Sequence, residues 1–120
     1  MDDRTLLEKA AKAAGLDGDV EITEMGGIPV GIWRKGSKHP DATRCFWGPL
    51  RDDGDALRLA VNLRFDLSMD EFHAEVGKTS NEDPFGISLA SEEATMGYGI
   101  EEATRRAIVR AAASLGDKHE

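Results

Sequence analysis

Phe46-Trp47-Gly48-Pro49-Leu50-Arg51-Asp52-Asp53-Gly54-Asp55-Ala56-Leu57-Arg58-Leu59-Ala60 is the stretch on which the reading of the fold turns. Two aromatics run into Gly-Pro, acids crowd Asp52 to Asp55, and an amphipathic run follows. Pro49 stops the strand that the aromatics belong to, because it has no amide proton to give a ladder. Asp52, Asp53 or Asp55 caps the free N–H groups of a helix, and the remaining acids favour its positive end. Gly54 is poor inside a helix, so the helix starts near it and covers 53–63. The rival reading is a divalent-cation loop. That needs oxygen ligands at alternating positions, a Gly at the sixth and a Glu at the twelfth. The acids here are one and two apart and no such Glu follows, so the stretch reads as strand, turn and helix start, with no metal site.

Working outward, Arg44 to Trp47 forms a short third strand. Before it, residues 34–43 are a polar loop with Gly and Pro that holds the main basic cluster: Arg34, Lys35 and Lys38, with His39 and Arg44 nearby. Val20-Glu21-Ile22-Thr23 alternates apolar and polar. With Ile28 to Trp33 it predicts a β-hairpin around Gly26-Gly27, with Pro29 beside an edge. Leu6, Leu7, Ala10, Ala13 and Ala14 have helical spacing, which predicts a helix over 3–14, capped by Asp2, Asp3 or the Thr5-x-x-Glu8 box and stopped at Gly15. Downstream, Phe65 and Leu67 begin a strand, Phe72 to Val76 is a strand, 77–84 a loop, Ile87 to Leu89 a strand and 91–99 a loop. The last helix covers 100–115, with the stripe Ile100, Ala103, Ala107, Ile108, Ala111, Ala112 and Leu115, and Gly116 as its stop. The order predicts an α+β fold: a mostly antiparallel sheet of about five strands with three helices.

The 120 residues are the size of one domain. A hydrophobic fraction of 40% with 32% charged residues is a soluble globular composition. No apolar run reaches the roughly 18–20 residues of a spanning helix. The acidic, amphipathic start is unlike a signal or transit peptide. One cysteine, Cys45, excludes an internal disulfide and a multi-thiolate zinc site, and points to a reducing cytoplasm. The net charge of −8 excludes non-specific nucleic-acid binding. The charge also raises mimicry of a polyanion, but it reads first as a solubility device, because the acids are scattered and the last helix carries Arg105, Arg106 and Arg110.

The run Phe46 to Val61 resembles a signature of small bacteriophage and prophage proteins, the phage ABA sandwich domain family. The late helix from Glu102 to Ala113 is similar to a second mark of that family. The resemblance implies a layered α/β/α sandwich and a phage or prophage gene acting in the bacterial host cytoplasm; it implies no activity and no catalytic residues. Gly48 stands where many relatives have Asn, and the segment from Phe65 to Tyr98 carries no mark of the family.

Catalytic constellations are weak. Cys45 reads as a buried core thiol. His39 lies in a polar loop, His73 in a solvated strand near Asp70, Glu71 and Glu75, and His119 in the tail. The pairs Glu82-Asp83, Glu92-Glu93 and Glu101-Glu102 are neighbours in sequence, so they diverge instead of facing each other across a cleft. Gly97-Tyr98-Gly99 feeds a helix start, but Glu101 and Glu102 repel an anion there. Trp33 and Trp47 read as packing; an exposed Trp33 beside Arg34 and Lys35 would be an interface anchor. The expected function is a non-catalytic protein-binding module without cofactor or metal, its partner a host or phage protein, with inhibition of a bacterial defence system as one form. The candidate surface is Trp33, Arg34, Lys35, Lys38, His39 and Tyr98. The alternative is a nucleotide-like ligand held by the loops at 34–43 and 97–101. Phe72 to Val76 and the early hairpin are the edges for a homodimer.

Overall fold

The computed structural model describes residues 2–16, 18–39, 42, 44–79 and 86–118, the side chains of 117 and 118 excepted. The expectations for Pro40, Asp41 and Thr43 of the basic loop, for 80–84, for the Glu82-Asp83 pair and for His119 lie outside the described residues. Among the described residues no helix is long and apolar enough to cross a membrane.

The elements are α1 (Asp3–Ala13), β1 (Val20–Met25), β2 (Ile28–Trp33), β3 (Phe46–Trp47), α2 (Asp53–Asn62), β4 (Asp66–Met69), β5 (His73–Lys78), β6 (Ile87–Glu93) and α3 (Ile100–Lys118). Helix α1 is capped by Asp2, whose side chain accepts the Thr5 N–H at 2.8 Å. Its apolar face, Leu6, Leu7, Ala10 and Ala11, is buried. Gly26 and Gly27 both have positive φ, 60° and 81°, the left-handed pair that a two-residue hairpin with the native twist requires. They hold β1 against β2 in antiparallel register from Val20–Trp33 to Met25–Ile28.

The expected single sheet of about five strands is corrected: the fold is α+β with two three-stranded antiparallel sheets, β1-β2-β3 and β4-β5-β6. Every pairing joins neighbours in sequence. β3 is two residues long and ends at Gly48-Pro49, and α2 then separates it from β4, so the two sets of hairpins never merge. The expected α/β/α layering gives way to a different order of contact. α1 packs along α3; β1 and β2 lie on α1, whereas β5 and β6 lie on α3, with α2 also against α3. One hydrophobic cluster runs through all of them, from Leu7 and Trp33 to Val76, Val109 and Ala112.

Other boundaries also move: β3 begins at Phe46 and not at Arg44. α3 continues through Gly116 to Lys118. A Cβ at Gly116 would stand 2.2 Å from the Lys9 carbonyl oxygen, so this glycine is the close approach of α3 to α1 and not a stop. β6 runs on to Glu93, still paired with β5 through Ala74–Glu92 and His73–Glu93, and Glu92 faces the guanidinium groups of Arg106 and Arg110 on α3, at 3.2 and 3.5 Å. β5 begins at His73 and extends to Lys78, with a bulge between Val76 and Gly77.

Candidate functional site

The opening stretch resolves into a structural knot. Asp52 is the N-cap of α2 and accepts the Asp55 N–H at 2.8 Å. Asp55 itself is 4% exposed. Its carboxylate accepts the Gly48 N–H at 2.9 Å and Arg58 Nη2 at 3.0 Å, and forms a short ion pair with Arg44. Burial pushes the Asp55 carboxyl up, but the Gly48 N–H and the two guanidinium groups outweigh it and hold the group below the usual carboxylate range. In sequence the acid reads as one of three candidate caps or as a charge at the helix's positive end; in the fold it ties the β3–α2 turn to both flanks. Arg44 on one side and Arg58 three residues on were the signal for it.

Cys45 is exposed, which corrects the expected core thiol. It precedes β3, so the alternation that would have placed it on the same face as Trp47 does not extend to it. It lines a cavity of about 430 Å³ with Met25, Val30, Phe46, Arg44, Arg51 and Asp55, among others, and no histidine is in that lining. Among the described residues no group of three or more His, Cys, Asp or Glu is placed to hold a metal ion.

The residues of the expected ligand surface are divided. Trp33 is buried at 8% exposure and stacks on His39, ring centroids 5.2 Å apart. Arg34, Lys35 and Lys38 are exposed around that stack. His39 lines a small cavity with Ala14, Leu16, Trp47, Arg58, Leu59 and Asn62 at the C-terminal end of α1. Tyr98 is at the other end. Burial and the carboxylates of Glu92, Glu102 and Asp3 push its phenol up, against Arg106, and Arg106 in turn bonds Asp3 at 2.7 Å. The 11 residues of α1 lie between these positions, a length of about 16 Å. His73 pairs across strands with Glu93 and is half-buried.

The apolar surface was not singled out in the sequence. A cavity of about 280 Å³ opens between α2, β4 and the first turns of α3, lined by Ala56, Leu57, Leu67, Met69, Ile100, Thr104 and Ile108, with Asp53, Glu101 and Arg105 among the charged residues at its rim. Thr104 Oγ1 donates to the Ile100 carbonyl at 2.6 Å and meets Met69 Sδ at 3.2 Å, which joins α3 to β4. Arg105 is occupied: it donates to the Leu50 carbonyl at 3.2 Å and to Asp53 at 2.6 Å. Leu57 is 55% and Met69 57% exposed at the mouth, and Val61, one turn beyond Leu57, is more exposed still. The sequence did carry a signal for this. α2 is apolar on two sides: Ala56, Leu59 and Ala60 face the core, while Leu57 and Val61 form a second stripe four residues apart.

No protein-family model, curated protein or solved structure matches this chain. Its functional reading therefore rests on these surfaces.

Proposed function

We propose that this chain is a non-catalytic protein-binding module that meets its partner at the groove between α2, β4 and α3. The observation that carries this reading is the pair of large apolar side chains, Leu57 and Met69, more than half exposed over an apolar cavity. A monomer gains by burying such side chains, and an uncovered apolar patch with a charged rim is the usual mark of a docking surface. The cavity of about 280 Å³ lies at the lower edge of the roughly 300–1,000 Å³ of small-molecule sites. The resemblance of Phe46 to Val61 to phage proteins supplies the setting, a phage or prophage product in a bacterial host. Inhibition of a bacterial defence system, by an acidic chain occupying a basic surface, is the form of action that this origin and the charge of −8 favour.

The test is capture from bacterial lysate with the tagged chain, identified by mass spectrometry, beside a charge-matched acidic domain and the variant Leu57→Lys. The expected result is one stoichiometric partner, released by salt and lost with Leu57→Lys while circular dichroism is unchanged. An empty capture, or one indifferent to Leu57→Lys, rejects the reading.

A further inference from the structure

We infer that the free edge of β4 accepts an extended segment of a partner protein as a fourth strand, one that alternates apolar residues with lysine or arginine. This rests on the protein-binding reading above and names the partner's chemistry. β4 pairs with β5 in the register Leu67–Val76, Ser68–Glu75 and Met69–Ala74, and the Asp70 N–H donates to the His73 carbonyl at 2.9 Å. In an antiparallel ladder, bonded and non-bonded pairs alternate. Asp66, Ser68 and Asp70 therefore direct their main-chain groups at β5, and Leu67 and Met69 direct theirs at the open edge. Among the described residues, β4 is the last strand of its sheet.

The side chains decide what would pair there. Leu67 and Met69 stand opposite Val76 and Ala74, both buried, so they lie on the face that packs on α3. A strand added at the usual spacing of about 4.8 Å would lie beside them, over Ile100, Thr104 and Ile108, with every second side chain entering the cavity. Its other side chains would join the opposite face, where β4 shows Asp66 and Ser68 and β5 shows Glu75. Asp66 and Glu75 make that face acidic, and Asp70 and Glu71 add exposed acids in the turn between β4 and β5. At the groove rim Glu101 adds a further negative charge, while Arg105 is engaged by Asp53 and Leu50. Charge and pleat thus select the same pattern, apolar inward and basic outward.

The probe is a panel of octapeptides alternating Lys with Val, Ile, Leu or Phe, titrated into the full chain by fluorescence anisotropy and amide NMR. The matched controls alternate Glu with the same apolar residues. Met69→Pro removes the outward N–H, which an edge strand tolerates, and its effect is read against Met69→Ala, which loses the same groove side chain but keeps that N–H. Asp66→Lys reverses one exposed charge and serves if the proline variant does not fold. Support is saturable binding of a Lys peptide, with amide shifts at Leu67 and Met69. Met69→Pro should weaken it by roughly tenfold or more, and Asp66→Lys should shift preference to the Glu series. Failure of every Lys peptide while the lysate partner is still captured overturns strand addition and leaves the protein-binding reading standing. A chain that sediments as a dimer, and as a monomer with Met69→Pro, also overturns it, because the edge then belongs to a second copy.

Discussion

Asp55→Asn keeps the shape of the side chain and removes its charge, so it isolates what the buried carboxylate does. Three donors would then face a neutral amide. The expected loss is about 2 kcal/mol in urea unfolding at pH 7. It falls short of the roughly 3–5 kcal/mol of a fully buried pair because Arg44 and Arg58 are 36% and 46% exposed and keep water. The pH dependence has a definite sign. The folded group titrates below the unfolded value of about 3.9, so its contribution is present at neutral pH. It declines as pH falls through the unfolded value and then the lower folded one, because protons then bind the unfolded chain more readily. The difference between wild type and Asp55→Asn should therefore be full at pH 7 and shrink by pH 3. An equal difference at both would show that the swap of an acceptor oxygen for a donor amide, and not the charge, is at work. Asp55 was half legible: its helix-start position was clear from Gly48-Pro49 and Gly54, whereas its burial depends on two arginines brought in by the tertiary fold.

Among the elements, α3 shows where local rules give the wrong sign. Gly116 lies inside the helix, where Ala is better by about 1 kcal/mol on propensity alone. The added methyl would stand 2.2 Å from the Lys9 carbonyl oxygen, main chain that cannot rotate aside. Gly116→Ala should therefore destabilise, by about 1–3 kcal/mol of overpacking, and lower the midpoint of thermal unfolding. A raised midpoint would mean that α1 gives way freely. The same contrast explains what the chain made legible. The three helices and the Gly26-Gly27 hairpin follow from periodicity and turn chemistry over a few residues, and their bounds lie within a few residues of expectation. Gly116 and Gly77 resist such reading, since each is required by a neighbour distant in sequence; a Cβ at Gly77 would meet the Ile87 carbonyl oxygen at 2.7 Å. Glu92 looked like loop because an acid on a strand's inward face makes sense only once Arg106 and Arg110 are opposite it. The groove was hidden for the same reason: Leu57, Met69 and Ile100 lie on three elements, and only packing makes them one surface.

For the whole molecule, the question is whether two separate sheets unfold as one. Their pairings are local, and among the described residues no strand links them. What joins them is the pair α1 and α3, with β1 and β2 on the first, β5 and β6 on the second. Trp33 and Trp47 are both in the first sheet and both nearly buried, so tryptophan fluorescence reports that sheet and its packing on the helices. Far-UV circular dichroism reports mainly the helices. The hydrophobic cluster is continuous from Val20, Trp33 and Trp47 through Leu7 and Ala10 to Ile108, Val109 and Val76. Loss of the first sheet would expose the face of α1 that seats it, and loss of α1 would expose α3. The two signals should therefore fall together in urea, with coincident midpoints and slopes, as cooperative unfolding requires. If fluorescence fell first, the seam between α1 and the first sheet would be the weak plane of the molecule. The groove, built on α2, β4 and α3, would then outlast the sheet, and peptide binding would persist at urea concentrations where the tryptophans are already exposed.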